Sequence, residues 1–244
     1  MNYNWNWGIY WQQSPEGTGT YAMLLLSGLQ WTIITALCAW VIALAIGSAV
    51  GVMRTLPSKW ANRFAGAWIE LFRNIPILVQ LFLWFFVLPE LLPKTMGTAL
   101  KQLPNAPFYI AVVGLGFATS ARVAVQVAAG VKALPRGQTM AGYALGLSTA
   151  QTYQHVLLPM AFRIVLPPLT SEFLNLIKNT SVALTIGLLE LTFRARTMQE
   201  YSFQVFEAFT AATVLYLILN VLVVFGARAL ERSVSVPGYM GGGK

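Results

Sequence analysis

Four stretches without a single charge decide what this chain can fold into: Gly17–Met53, Asn74–Pro89, Gln102–Ala121 and Ala208–Ala227. A helix needs about 20 apolar residues to cross a hydrocarbon core, and each stretch reaches or nearly reaches that length. Of the 244 residues, 57% are hydrophobic and 10% charged, where a soluble domain carries roughly 25% charge. A closed barrel would show apolar and polar residues alternating with period two, and these continuous runs exclude it. The fold class is therefore all-α and integral to a membrane. The opening MNYNWNWGIYWQQSPEG lacks the basic region and short apolar core of a cleavable signal. Its Trp and Tyr residues suit the headgroup layer.

Five membrane helices are expected: about Tyr21–Met53, Trp68–Leu91, Phe108–Ala133, Ala161–Leu189 and Phe206–Leu230. The fourth contains Pro167-Pro168, Glu172 and Lys178. Broken or polar helices of that kind survive where neighbours or a watery cavity satisfy the freed groups. Arg54, Lys59 and Arg63 lie between the first two spans; Lys132, Arg136 and Arg163 border the loop between the third and fourth. Arg228, Arg232 and Lys244 follow the fifth against Glu231 alone. The opposite loops are mixed in sign. The positive-inside rule then predicts the N-terminus outside and the C-terminus in the cytoplasm. The expected organisation is a lead-in over residues 1–20, a permeation domain over 21–230 with a cytoplasmic loop at about 134–160, and a tail at 231–244. The net charge of +8 is scattered among short loops, so nucleic acid is not an expected partner and membrane lipid is. Cys38 reads as a small core residue. Without a Cys/His cluster around the lone His155, no metal site is expected.

The loop after the third span reads ALPRGQTMAGYALGLSTAQTYQHVLLPMAFR. It opens on a turn signal at Pro135-Arg136-Gly137 and carries small residues at near-helical spacing. It then resumes as a short helix over Thr149–Leu158 that is expected to end at Pro159. Two short helices joined at a flexible glycine would protrude from the bilayer and fit a partner's groove. The spacing resembles the cytoplasmic loop of importer-type ABC transporter permeases: Glu-Ala-Ala, three residues, Gly, nine residues, Ile-x-Leu-Pro. Met140, Ala141 and Gly142 hold the triplet, Gly146 the glycine, and Val156-Leu157-Leu158-Pro159 the ending. Met140 stands where the motif has an acid and Gly142 where it has its second alanine.

ELFRNIPILVQ, LPRGQ, LLPMAFR and LNLIKNTSVALTIGL are similar to the polar amino acid branch of that family. NYNWNWGIYWQQ, the ARV at Ala121–Val123, PPLTSEFLNLIKN and the closing PGYMGG resemble glutamate/aspartate import permeases. The resemblance implies a type I importer permease fold in a bacterial inner membrane and transport by alternating access. It implies a transport subunit, with no catalytic residues of its own, that binds no cofactor and relies on a partner ATPase to hydrolyse ATP. In keeping with this, the chain has no G-x-x-x-x-G-K-[ST] phosphate loop. The implied partners are that ATPase, an extracytoplasmic solute-binding protein, and a second permease subunit, either a sibling chain or a second copy. The ATPase-coupling residues implied are Gly137, Met140, Ala141, Gly142, Gly146, Ser148, His155 and Pro159, with docking centred on Ser148–His155.

Arg122 sits in the third expected span with no acid nearby in sequence. An arginine at a helix centre costs about 2.5–3.5 kcal/mol on insertion scales, so it is expected to face the bundle interior or a watery path. Thr119 and Gln126 lie one turn to either side on a polar stripe, with Ser120 slightly off it. A guanidinium fork suits a carboxylate, which makes Arg122 a candidate reader of an acidic substrate. The competing reading is a structural ion pair with Glu70 or Glu172. Glu70 and Arg73, three apart on one helix, are expected to neutralise each other, which leaves Glu172.

Asn74, Gln80 and Pro76 add a polar, kinked motif to the second span. Glu172, Asn175 and Asn179 form an inner stripe on the fourth. A stand-alone ion-coupled carrier is the competing class, though carriers of that kind show internal repeats and none is visible here. An intramembrane enzyme would need a convergent acid/base or nucleophilic set, which the spans lack. Specificity for a neutral amide such as glutamine remains an alternative within the importer class.

Overall fold

The computed structural model describes residues 3–17 and 19–234. The PGYMGG stretch, Lys244 and most of the tail expected at 231–244 lie outside the described residues. Among those described, helix dominates, with one isolated bridge between Gln13 and Thr20. After a 3₁₀ turn at Trp7–Trp11, the first span is α1 (Tyr21–Met53), with the bounds the sequence implied. It ends where charge begins, at Arg54. Cys38, expected in the core, faces outward from α1 and is exposed.

The second span departs from expectation. α2 (Lys59–Asn74) stops before Pro76, and α3 (Ile77–Phe82) restarts the chain in a new direction. The pair Lys59–Asn74 and Ile77–Leu91 is bent by 100°, so it makes one broken span or a re-entrant segment. The residue before a proline is pushed out of the helical region, and Ile75 takes that position. A π turn at Leu83–Val87, α4 (Leu88–Leu91) and α5 (Lys94–Gln102) lead to the third span, α6 (Ala106–Lys132).

α7 (Arg136–Ala144) and α8 (Thr149–Thr152) build the loop, and a second π turn at Tyr153–Leu157 runs into α9 (Leu158–Asn179). Pro159 therefore does not end a helix: one helical path continues from Thr149 to Ile186. Both π turns share a design. Leu88 N–H closes on the Leu83 carbonyl, Leu158 N–H closes on the Tyr153 carbonyl, and a proline follows each. A proline ring strikes the carbonyl four residues back and offers no N–H to it. The wider i→i−5 step absorbs that mismatch without a break. Nor does the chain break at Pro167-Pro168, where the Thr170 hydroxyl adds a bond to the Leu166 carbonyl at 3.1 Å. A 3₁₀ segment, Thr180–Ile186, ends at Gly187, whose φ of 87° needs a residue free of a Cβ penalty. α10 (Leu191–Ser202) and the last span, α11 (Val205–Val234), complete the chain.

The residues cluster into two compact units. In the unit of Met1–Val41, Ile75–Gly116 and Asn175–Val221, the core gathers Ile9, Leu24, Leu25, Leu191, Met198 and Ala208. In the unit of Ile42–Asn74, Phe117–Leu174 and Leu222–Lys244, α1 and α6 meet through Gly47 and Gly51. A Cβ on Gly47 would stand 2.6 Å from Val123 Cβ, and one on Gly51 would stand 2.7 Å from the Ala124 carbonyl oxygen. Two glycines four apart let helix backbones approach closely inside a membrane.

Candidate functional site

Arg122 lies well inside α6, and Glu172 reaches it from α9. The closest approach is Arg122 Nε to Glu172 Oε2 at 3.7 Å, with the side chains 35% and 12% exposed. That is an ion pair without a hydrogen bond, since useful N–H···O contacts end nearer 3.2 Å. Glu172 Oε2 is buried and accepts no hydrogen bond. Among the described residues the other oxygen, Oε1, receives only the Gln126 amide, at a long 3.4 Å. Arg122, Gln126 and Glu172 thus come together as a loosely joined polar group.

The remaining stripe residues divide. Thr119, one turn before Arg122, is buried with its hydroxyl unpartnered. Ser120 is buried too, but its hydroxyl accepts from Trp68 Nε1 at 3.0 Å and donates to the Phe117 carbonyl at 2.7 Å. It anchors an aromatic group of Trp68, Phe72 and Phe117. Asn175 follows Glu172 by one turn on α9 and is half-buried.

In the second-span motif, the expected Glu70–Arg73 pair is not formed. The Asn74 amide donates instead to the Glu70 carboxylate at 2.9 Å and to the Glu70 carbonyl at 2.8 Å. Among the described residues Arg73 joins no ion pair. Asn74, the last residue of α2, lies one full turn from Glu70, and its side chain closes back on that turn just before the chain breaks at Pro76. Gln80 is buried, and its amide donates to the Ile75 carbonyl at 2.8 Å, across the break itself.

The loop between α6 and α9 presents a compact apolar face. Gly146, at φ 78°, turns the chain after α7, while Leu147 N–H returns to the Gly142 carbonyl. Ser148 then caps α8 in a reciprocal box with Gln151. Gly142 is buried against Thr152, whose methyl would lie 2.8 Å from a Cβ at that position. The departure from alanine in the motif therefore has a packing cause. Thr152 is fully buried, and the Tyr153 hydroxyl donates to the Thr55 carbonyl at 2.8 Å, tying the loop to the end of α1. Met140 is 67% and Leu145 80% exposed, with Tyr143 beside them. Gly137, Ala141, Ser148, His155 and Pro159 are also exposed.

Two polar clusters escaped sequence reasoning. Glu190 is fully buried and caps α10, accepting from Phe193 N–H at 2.7 Å, Thr192 N–H at 2.9 Å and the Tyr216 hydroxyl at 2.8 Å. Burial pushes its carboxyl above its ordinary value, against the pull of those bonds. Glu207, likewise buried, takes the Tyr3 hydroxyl and Asn6 N–H, while its carbonyl takes the Tyr10 hydroxyl. Glu16 pairs with Arg194. The aromatic lead-in is thus strapped down by carboxylates. The only sequence signal was an acid directly before an amphipathic stretch at Glu190.

Comparison with known proteins places the chain in a family. Residues 42–236 match the family described as binding-protein-dependent transport system inner membrane component. The glutamate/aspartate import permease protein GltJ of Escherichia coli (strain K12) is 44% identical over 99% of this chain and 100% of its own length. The glutamine transport system permease protein GlnP of the same strain is 32% identical over 95% of this chain and 98% of its own. A crystal structure of an amino acid ABC transporter with histidines aligns at TM-score 0.75 and 28% identity. It covers 87% of this chain and 95% of that one. An inward-facing methionine transporter, MetNI, shares the fold at TM-score 0.72 and 22% identity, over 88% of this chain and 98% of its own.

Proposed function

Because the chain belongs to the binding-protein-dependent transport system inner membrane components, we propose that it is the permease subunit of an ATP-driven importer carrying acidic amino acids, glutamate and aspartate. The observation that carries the substrate class is Arg122. It is a guanidinium within a span, partly exposed, whose internal counter-ion stands too far away to use its hydrogen-bond donors. A substrate bearing a side-chain carboxylate has to be neutralised at that depth, and the planar fork offers paired, charge-assisted bonds. The 44% identity to a glutamate/aspartate permease supports the same choice.

In this reading the path is lined by Arg122, Thr119, Ser120, Gln126, Glu172 and Asn175, with the Glu70, Arg73, Asn74 and Gln80 motif near the bend. The N-terminus lies outside and the C-terminus in the cytoplasm, so the loop at about 134–160 meets a separate ATPase. ATP is bound and hydrolysed there, a solute-binding protein delivers substrate from outside, and a second permease subunit completes the path. The two permeases rock about the midplane site in alternating access.

The test is uptake of labelled glutamate and glutamine by cells making the complete system, comparing wild type with Arg122→Gln. Loss of glutamate uptake by about tenfold or more, with glutamine spared and the complex assembled, is the expected result, on the scale of a lost charge-assisted bond. Equal loss of both substrates would make Arg122 a structural charge.

A further inference from the structure

The Arg122–Glu172 pair is poorly made for a structural lock. Locks between guanidinium and carboxylate close to about 2.7–2.9 Å, often through two parallel bonds. Here the contact is 3.7 Å through Nε alone. Among the described residues Glu172 Oε2 is buried without any hydrogen bond, and Oε1 holds one long contact from Gln126. Both charges keep bonding capacity in hand. They neutralise each other at a distance and are ready to exchange partners.

We infer that the substrate opens this pair: Arg122 takes the side-chain carboxylate while Glu172 takes the α-ammonium. The inference rests on the reading of Arg122 given above and goes beyond it by assigning Glu172. Charge balance motivates the second half. An incoming carboxylate that merely captured Arg122 would leave Glu172 as an unpaired buried anion, which is strongly disfavoured. An α-amino acid supplies the missing cation on the same molecule, while its α-carboxylate, which glutarate also carries, stays outside the exchange. One internal ion pair is then replaced by two intermolecular ones, each with room to shorten to hydrogen-bond range. When the substrate leaves, the internal pair re-forms, so Arg122 is never left without a counter-charge. Glu172 thereby selects amino acids over plain dicarboxylates of the same length, and Gln126 steadies its Oε1 through the exchange.

The experiment compares equilibrium binding of labelled glutamate and of glutarate, which is glutamate without its amino group. It uses the purified permease–ATPase complex without the solute-binding protein, so that only the membrane site is read. Wild type is expected to prefer glutamate by at least about tenfold, the scale of one charge-assisted hydrogen bond. Glu172→Gln should collapse that preference to about threefold or less, with glutarate binding improved, while Glu172→Asp retains it. An unchanged preference in Glu172→Gln, or equal weakening of both ligands, would overturn the inference. So would a wild-type complex that binds glutarate as tightly as glutamate, a measurement that needs no variant to fold. Failure of the underlying reading looks different: Arg122→Gln would then bind both ligands as wild type does.

Discussion

Glu190 shows how a single side chain can matter without facing any path. Its carboxyl is wholly buried, and burial raises its proton affinity above that of the unfolded chain. The folded state therefore keeps a proton that the unfolded state gives up. The resulting stabilisation is present below the ordinary carboxylate value and is lost as pH rises through the raised one. Glu190→Gln removes that titration while keeping an acceptor for the α10 cap. The variant should be less stable than wild type in acid, by about 0.5–2 kcal/mol if one capping bond is weakened. That deficit should shrink as pH rises. Thermal unfolding of the purified chain at about pH 5 and about pH 8 checks it; a deficit independent of pH would assign the whole effect to the cap.

Helices show which parts of the fold were legible in the sequence and why the others were not. The first span could be read to the residue because Arg54 directly follows the last apolar turn of α1. The fourth could not, because proline was taken as a stop. The rule fails where an i→i−5 turn precedes the ring, as at Tyr153–Leu157 before Pro159. Arg122 was visible because one charge in an apolar run cannot hide. The long-range halves of the Glu190 and Glu207 clusters could not be read because Tyr216 and Tyr3 lie 26 and 204 residues away. The Glu70–Arg73 expectation failed because Asn74, a full turn from Glu70, reaches both its carboxylate and its carbonyl. The contact of α1 with α6 was written in the sequence as Gly47-x-x-x-Gly51 and went unread. It yields a sharp expectation. Gly51→Val drives methyl groups into the Ala124 carbonyl and Val127, and should destabilise by about 1–3 kcal/mol as overpacking does. Gly66→Ala, inside α2 with nothing within 4 Å of the added Cβ, should instead stabilise by about 0.5–1 kcal/mol through helix propensity. Parallel melting curves of the two variants decide it, and similar shifts in both would mean that the close approach of α1 to α6 contributes little.

At the scale of the whole molecule, a transport subunit without its own energy source must present a surface that a motor can push. In the proposed reading the loop of α7 and α8 takes that part: it is tightly packed inside, and its outer face shows apolar side chains beside polar ones such as Arg136 and His155. Gly142 and Thr152 interlock, the Ser148–Gln151 box fixes the start of α8, and Tyr153 fastens the base to Thr55. These contacts join the loop to the start of the helical path into α9 and to the end of α1. The tip shows Met140, Tyr143 and Leu145 to solvent. Met140 replaces the acid of the related motif, so in the proposed docking the tip is expected to bury apolar area where the motif would offer an ion pair. A side chain such as Leu145 contributes about 1.5–3 kcal/mol when fully covered. Leu145→Ser should therefore weaken ATPase attachment by roughly tenfold or more in co-purification and in ATPase titration against the permease. Because the Leu145 side chain is largely exposed, the variant's melting temperature and glutamate binding should stay at wild-type values. Gly142→Ala, by contrast, should lower ATPase attachment and chain stability together, since its added methyl strikes Thr152 from inside. Raising the salt concentration separates the two docking modes further. An attachment held by apolar burial persists where one held by surface ion pairs is screened within about 10 Å at 0.1 M. An ATPase that falls away as salt rises, yet tolerates Leu145→Ser, would show that the loop docks through its basic flank at Arg136 and not through its apolar tip.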